Sequence, residues 1–254
     1  MFASTMDTII GYLIELPHMA NPSIALRGIS SMATRQLLGR LAQAFQQVSG
    51  HTVVFESVGG VDAAKRVAAG EVFDLVVLAS DAIDKLIACG HLQAGSRADL
   101  VHSGVSVAVR EGAARPDLGS EEAVKQAVLA ADSVGYSTGP SGVALLKQFE
   151  DWHIVEQLQG RLVQARPGVP VASMVASGEV ALGFQQLSEL LNVAGIDIVG
   201  PLPETIQILT TFSAAYPASL SSDPARLLVV QAFVDFMRSP EAAAEKRRNG
   251  MAPA

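Results

Sequence analysis

The sequence has a single cysteine, Cys89, among 254 residues. Without a second thiol there is no internal disulfide and no cysteine cluster for a metal. Cys89 sits in Leu86-Ile87-Ala88-Cys89-Gly90, which brings no cation to favour a thiolate, so it reads as a packing residue. Positive charge is scarce too. Lys and Arg number 18 against 25 Asp and Glu, a net charge of −7. That balance excludes a broad nucleic-acid surface, because phosphate binding needs a basic stripe. A small anion remains compatible, since backbone N–H groups and helix dipoles hold anions without net positive charge. No apolar run reaches the roughly 18–20 residues of a bilayer span. No Gly-x-x-x-x-Gly-Lys phosphate loop, no Gly-x-Ser-x-Gly nucleophile elbow and no His pair at i,i+4 occurs, so neither a cofactor nor a metal is expected.

The first 22 residues contain Ile9-Ile10-Gly11-Tyr12-Leu13-Ile14 but no Lys or Arg, the first being Arg27. A secretory signal needs a positive n-region and a longer apolar run. Residues 1–22 are therefore expected to be an extension, and the protein as written to be cytoplasmic. A mis-assigned start would instead put it in the periplasm.

From Ser23 onward, short apolar runs alternate with amphipathic stretches. Ile24-Ala25-Leu26, Thr52-Val53-Val54-Phe55-Glu56 and Phe73-Asp74-Leu75-Val76-Val77-Leu78 read as strands. Between them Leu37, Leu38, Leu41, Ala42 and Phe45 recur at the 3.6-residue period of a core-facing helix, and Gly50 stops it. A second set follows, with strands near Ser133–Tyr136, Gly160–Gln164 and Ala181–Gln185 and a C-terminal helix from Ala225 to Met237. Such alternation predicts βαβ units, hence an α/β fold whose parallel sheets are covered by helices. Two longer extended runs, Gly104–Arg110 and Ile206–Phe212, predict two lobes joined by a two-strand hinge. One lobe would hold Ser23 to Gly104 with Leu209 to Ala254, and the other Val105 to Ile208. A monomer is expected.

Open α/β sheets bind ligands outside the carboxyl ends of their strands. Here those ends carry Gly28-Ile29-Ser30-Ser31, Ser57-Val58-Gly59-Gly60 and Ser137-Thr138-Gly139-Pro140-Ser141-Gly142. Each turn runs into a helix, presenting free N–H groups and a positive dipole end to the mouth of the sheet. Taken singly, each is an ordinary N-cap; three converging would build an anion site. Arg27 has two even readings, a fork for a carboxylate in the cleft or a partner for a surface acid. Arg166 is a weaker second candidate. Asp62, at a helix start, reads first as a cap.

The chain resembles the molybdate-binding proteins of ABC transporters, within the type II periplasmic-binding-protein fold. The resemblance runs from about Ser23 to Met251. It is carried by Leu26-Arg27-Gly28-Ile29-Ser30-Ser31, Asp74-Leu75-Val76-Val77-Leu78-Ala79-Ser80-Asp81, Gly139-Pro140-Ser141-Gly142, Gly178-Glu179-Val180-Ala181-Leu182-Gly183 and Phe233-Val234-Asp235-Phe236-Met237-Arg238-Ser239-Pro240-Glu241. It implies two lobes closing on an oxyanion. It also implies that Ser30 stands at a first-loop ligand serine, Gly59 or Gly60 at a second serine, Ser141 near an amide donor and Val169 near another. Gln186 stands where the molybdate binders carry a ligand tyrosine. The missing serine and tyrosine argue against molybdate, and Gln185 with Gln186 offers amides suited to carboxylates.

The resemblance extends to an aconitate isomerase lineage, which moves a double bond in a tricarboxylate. That implies an acid/base group in an anion-lined cleft, for which Glu56, Asp62, Tyr136 and Ser141 lie at suitable strand ends, with Asp62 and Ser141 the leading candidates. The expected function is thus binding of a small organic di- or tricarboxylate, with isomerisation of it. The alternative is the solute-binding component of a molybdate or oxyanion transporter, without catalysis and with a membrane partner. A regulator's sensing module is the weakest reading, since no helix-turn-helix is visible.

Overall fold

The computed structural model describes residues 23–254 apart from position 167. Residues 1–22, expected to form an extension, lie outside the described residues. The first lobe is built on β1 (Ala25–Ser31), β2 (Thr52–Val58) and β3 (Leu75–Ala79). These pair in parallel in the order β2-β1-β3. Helices α1 (Arg35–Ser49), α2 (Gly60–Ala68) and α3 (Ser80–Ala88) connect and follow them. Leu37, Leu38, Leu41, Ala42 and Phe45 are buried on α1, which ends at Gly50 with φ 73°. Only Gly avoids a steric penalty in that left-handed conformation.

The second lobe repeats the logic with β5 (Val134–Tyr136), β6 (Leu162–Gln164) and β7 (Leu182–Gln186), parallel in the order β6-β5-β7. Its helices are α4 (Glu121–Ala130), α5 (Pro140–Asp151), α6 (Val171–Ser177) and the short α7 (Leu187–Leu190). Strand β8 (Ile196–Pro201) forms an edge.

Strand β4 (Ala98–Arg110) joins the lobes. It pairs antiparallel with β9 (Leu209–Ala215) as far as Gly104, and with β7 from Val105. The chain returns through a tight turn at Glu204–Ile206 before β9. The expected return strand therefore starts at Leu209 rather than Ile206. β4 begins six residues before the expected Gly104, because its first half pairs with β9 and packs Leu100 and Val101 into the core. Antiparallel pairing is thus confined to the crossing strands and the edges, and each lobe keeps a parallel centre. Helices α8 (Pro224–Arg238) and α9 (Pro240–Arg248) return to the first lobe, where β10 (Met251–Pro253) pairs with β4.

Separate apolar cores fill the lobes. Leu26, Phe45, Val77, Phe233 and Met237 pack beneath the first sheet, and Ile29, Val76, Ile83 and Leu86 pack above it. Val107, Val128, Leu145, Phe149 and Phe184 form the core of the second. Among the described residues no helix is long and apolar enough to cross a membrane.

Candidate functional site

Parallel strands put every βα turn of a lobe at the same sheet edge, and the crossing strands turn these two edges toward each other. A cleft of about 960 Å³ lies between them. The first lobe lines it with Ser31, Gly59, Gly60 and Ala79, the second with Ser141, Val169, Gln185, Gln186 and Glu189. The helices opening onto it are uncapped: Gly59, Ala79 and Gly139, at the N-caps of α2, α3 and α5, make no side-chain cap bond. Away from the cleft, α4 and α8 are capped by Ser120 and Asp223, while α9, like the cleft helices, has no side-chain cap bond. First-turn N–H groups without a cap are donors for an anion; on α5 only that of Ser141 is free, because Pro140 has no N–H and Gly142 donates to the Gly139 carbonyl at 3.0 Å.

The turn at Ser137–Gly142 is tightly built. Ser137 and Ser141 share a hydroxyl hydrogen bond at 3.2 Å. A Cβ on Gly142 would lie 1.9 Å from the Ser137 carbonyl oxygen, so only glycine lets the loop fold back on its helix. Opposite, Gly60 approaches Ser31, with 3.6 Å between a built Cβ and that of Ser31.

Several expected ligands are placed differently. Ser30 is fully buried, and its hydroxyl bonds Ser57 Oγ at 2.8 Å. In a pleated strand neighbouring side chains point to opposite faces, so Ser31, not Ser30, faces the cleft. Ser31 is 7% exposed and its Oγ has no hydrogen-bond partner among the described residues. A buried hydroxyl left unpaired is costly, and on a cleft wall it stands ready for a ligand.

Arg27 lies outside the cleft. It belongs to the amino end of β1, four residues or roughly 13 Å along the strand from Ser31. Its guanidinium sits 4.6 Å above the Phe73 ring and pairs with Glu71 at 2.7 Å. There Arg66, with Arg27 assisting, holds the Glu71 carboxyl down to about 2. Of the two readings of Arg27, the surface ion pair is the one observed.

Asp62 does not line the cleft, although its Oδ2 lies 3.4 Å from where a Cβ on the cleft residue Gly59 would sit. On α2 the cleft is lined by Gly60, Val61, Ala64, Lys65 and Ala68, one helical face. Asp62 shares the other flank with Arg66, one turn on, which is bound to Glu56 and Glu71. Neither Asp62 nor Glu56 nor Tyr136 lines the cleft.

Val169 reaches the cleft, but its N–H donates to the Arg166 carbonyl at 2.9 Å, which removes it as an anion donor. Gln186 is engaged at the hinge: its amide nitrogen donates to Ser103 Oγ at 2.7 Å and its oxygen accepts from Thr210 Oγ1 at 2.9 Å. Gln185 is held at one end, where Oε1 accepts from the Ala172 N–H at 2.9 Å. Its amide acts on the Glu189 carboxyl, which follows on α7 just past the end of β7.

Glu189 was not among the sequence candidates. It is partly buried on the cleft wall. Desolvation pushes its carboxyl up to about 7, against a hydrogen bond from Gln185 that favours the charged form. The available signal was its place just beyond the carboxyl end of β7. Lys65, Lys85, Lys147 and Arg166 line the cleft with Asp81 and Glu189; Lys147 is bound to Asp151 and Lys85 lies 3.9 Å from Asp81, which leaves Lys65 and Arg166 as cations without an acidic partner among the described residues.

Comparisons with known proteins agree with this architecture. The model of the bacterial extracellular solute-binding protein family matches residues 26–252. An aconitate isomerase from Pseudomonas sp is 35% identical over 240 residues, covering 92% of this chain and 90% of that one. Among solved structures, the periplasmic molybdate-binding protein of Azotobacter vinelandii superposes with a TM-score of 0.73 at 22% identity, over 89% of this chain and 98% of that one. The sulfate-binding protein of Mycobacterium tuberculosis gives 0.70 at 16% identity, over 91% and 87%. With a two-lobed fold, a cleft lined by helix N-termini and a family match across nearly all its length, this chain belongs to the bacterial extracellular solute-binding protein family.

Proposed function

We propose that the cleft binds an organic di- or tricarboxylate and shifts a double bond within it, as the name of the 35%-identical aconitate isomerase suggests. The observation that carries this reading is the donor set on facing walls: the unpartnered Ser31 hydroxyl and uncapped α2 on one side, uncapped α5 on the other. A ligand with several carboxylates satisfies both walls at once. Glycines at 59 and 60 retain N–H donors without side-chain bulk, and the 960 Å³ volume is at the upper end for small-molecule sites. Both features favour a ligand larger than a tetrahedral oxyanion. Each hydrogen bond to a charged oxygen is worth roughly 1.5–3 kcal/mol, so the engaged Gln186 and Val169 weigh against a fully coordinated molybdate.

A second reading keeps the cleft and removes the reaction: a receptor for the same carboxylates, supported by the family's description as extracellular solute-binding. Calorimetry with cis-aconitate, trans-aconitate, citrate, molybdate and sulfate tests the ligand class. Tight molybdate binding with no response to any carboxylate would overturn the proposal. Proton NMR of either aconitate with the protein then separates turnover from binding alone.

A further inference from the structure

We propose that Glu189 is the acid/base of the double-bond shift, taking a proton from one carbon of the bound polycarboxylate and returning it to another. The inference rests on the isomerase reading above.

The geometry selects this residue. Among the described residues, only Asp81 and Glu189 bring a carboxyl to the cleft. Asp81 has a side chain 59% exposed and 3.9 Å from Lys85, so it is solvated and faces a cation rather than the enclosed wall. Cys89 and His91 lie beyond the far end of α3, roughly 13 Å from its start at 1.5 Å per residue. Glu189 instead follows β7 on the short helix α7, lining the same cleft as Gln185 and Ser31, and α7 packs on the Met32–Thr34 turn that follows Ser31. Ala172 pins the Gln185 oxygen, and the Gln185 amide favours the charged form of the Glu189 carboxyl.

Helix α7 packs on β4, β7 and the Met32–Thr34 turn. The ionisable groups there are Asp99, His102 and Arg110 of β4, and the Gly250 turn, which packs on Leu187 and Leu191, follows Lys246, Arg247 and Arg248 of α9. Asp99 is bound to Arg97 and Ser213, His102 to Thr211, and Arg110 ends the strand exposed. None contributes to the Glu189 shift, which arises from desolvation opposed by Gln185. A carboxyl titrating near neutrality both accepts and returns a proton, which is what a single-base transfer needs.

The step balances. The Glu189 carboxylate removes a proton from the methylene between a carboxylate and the double bond. The C–H pair becomes the new double bond, while the old π pair moves out to the far carbon. The same proton, or one exchanged with water, is delivered there from Glu189, which ends as carboxylate. Composition and oxidation level of the substrate are unchanged. Negative charge that builds on the substrate carboxylate meets the Ser31 hydroxyl and the uncapped helix N–H groups.

The test follows deuterium incorporation and isomer conversion of cis-aconitate in D2O by NMR, with citrate binding measured in parallel. Glu189→Gln should lose both proton readouts by 10²–10⁴-fold while its citrate Kd stays within a few-fold. Glu189→Asp should retain partial exchange, with its pH–rate limb moved to lower pH. Wild-type exchange in a Glu189→Gln protein that still binds citrate overturns the role of Glu189 alone. Binding without exchange by the wild-type protein overturns the isomerase reading and this inference with it. Should Glu189→Gln not fold, an unshifted pH limb in Glu189→Asp overturns the proposal.

Discussion

At the scale of single residues, the decisive pair is Ser30 and Ser31. They are adjacent, chemically identical and pointed to opposite faces of β1. Ser31→Ala should weaken carboxylate binding roughly 10- to 100-fold, the equivalent of one hydrogen bond to a charged group, with stability unchanged or raised because an unpaired hydroxyl is removed. Ser30→Ala should do the reverse: it loses the bond to Ser57, costing about 1 kcal/mol, with affinity nearly unchanged. Calorimetry and chemical denaturation on the two variants distinguish these outcomes. Glu189 also makes a stability prediction. Its folded-state pKa is raised from 4.5 to about 7, so its contribution is complete below pH 4.5 and is lost as pH rises through 7. Glu189→Gln should therefore match the wild type near pH 4 and exceed it near pH 8, by on the order of 3 kcal/mol. Thermal melts at both pH values measure this.

At the scale of elements, the cleft depends on turns that fit only one backbone path. Gly142→Ala would drive a methyl into the Ser137 carbonyl. It should destabilise the protein by about 1–3 kcal/mol, as overpacking does, and also weaken ligand binding, because α5 would have to move off the Ser137–Gly142 turn. A variant with full stability and full affinity would show that the turn relaxes freely. Most elements were legible in advance. The α1 period, the Gly50 stop and the βα turns are local signals, because amphipathic spacing and left-handed glycines act within one helix or one turn. The missing elements were β8, β10, α4 and the first half of β4. Three of these are strands at an edge or a crossing, where pairing to a distant partner rather than local pattern makes the strand.

At the scale of the whole molecule, β4 and the segment that leads from Ile206 into β9 carry the chain between lobes while each lobe keeps its own core. Few covalent connections across a cleft permit closure on a ligand that bridges both walls. A carboxylate at 100 times its Kd should stabilise the fold by about 2.7 kcal/mol and reduce the radius of gyration seen by X-ray scattering. Stabilisation with an unchanged radius would mean that the ligand rests on one lobe only.

The sequence alone determined the α/β class, the alternation into parallel units and the loops that meet at the cleft, because these depend on short-range period and turn chemistry. Tertiary structure decided which atoms in those loops are available. Arg27 proved to sit at the wrong end of its strand, with Glu71 and Phe73 as partners, and Asp62 on the flank shared with Arg66. The amide of Gln186 and the N–H of Val169 were already bound within the protein. The physical reason is common to all of them. A shift of one residue reverses a strand's face, and the state of a polar group depends on neighbours brought from distant parts of the chain. Glu189 shows the same dependence: a glutamate in sequence is an ordinary acid, and only burial against the cleft wall raises its proton affinity to neutrality.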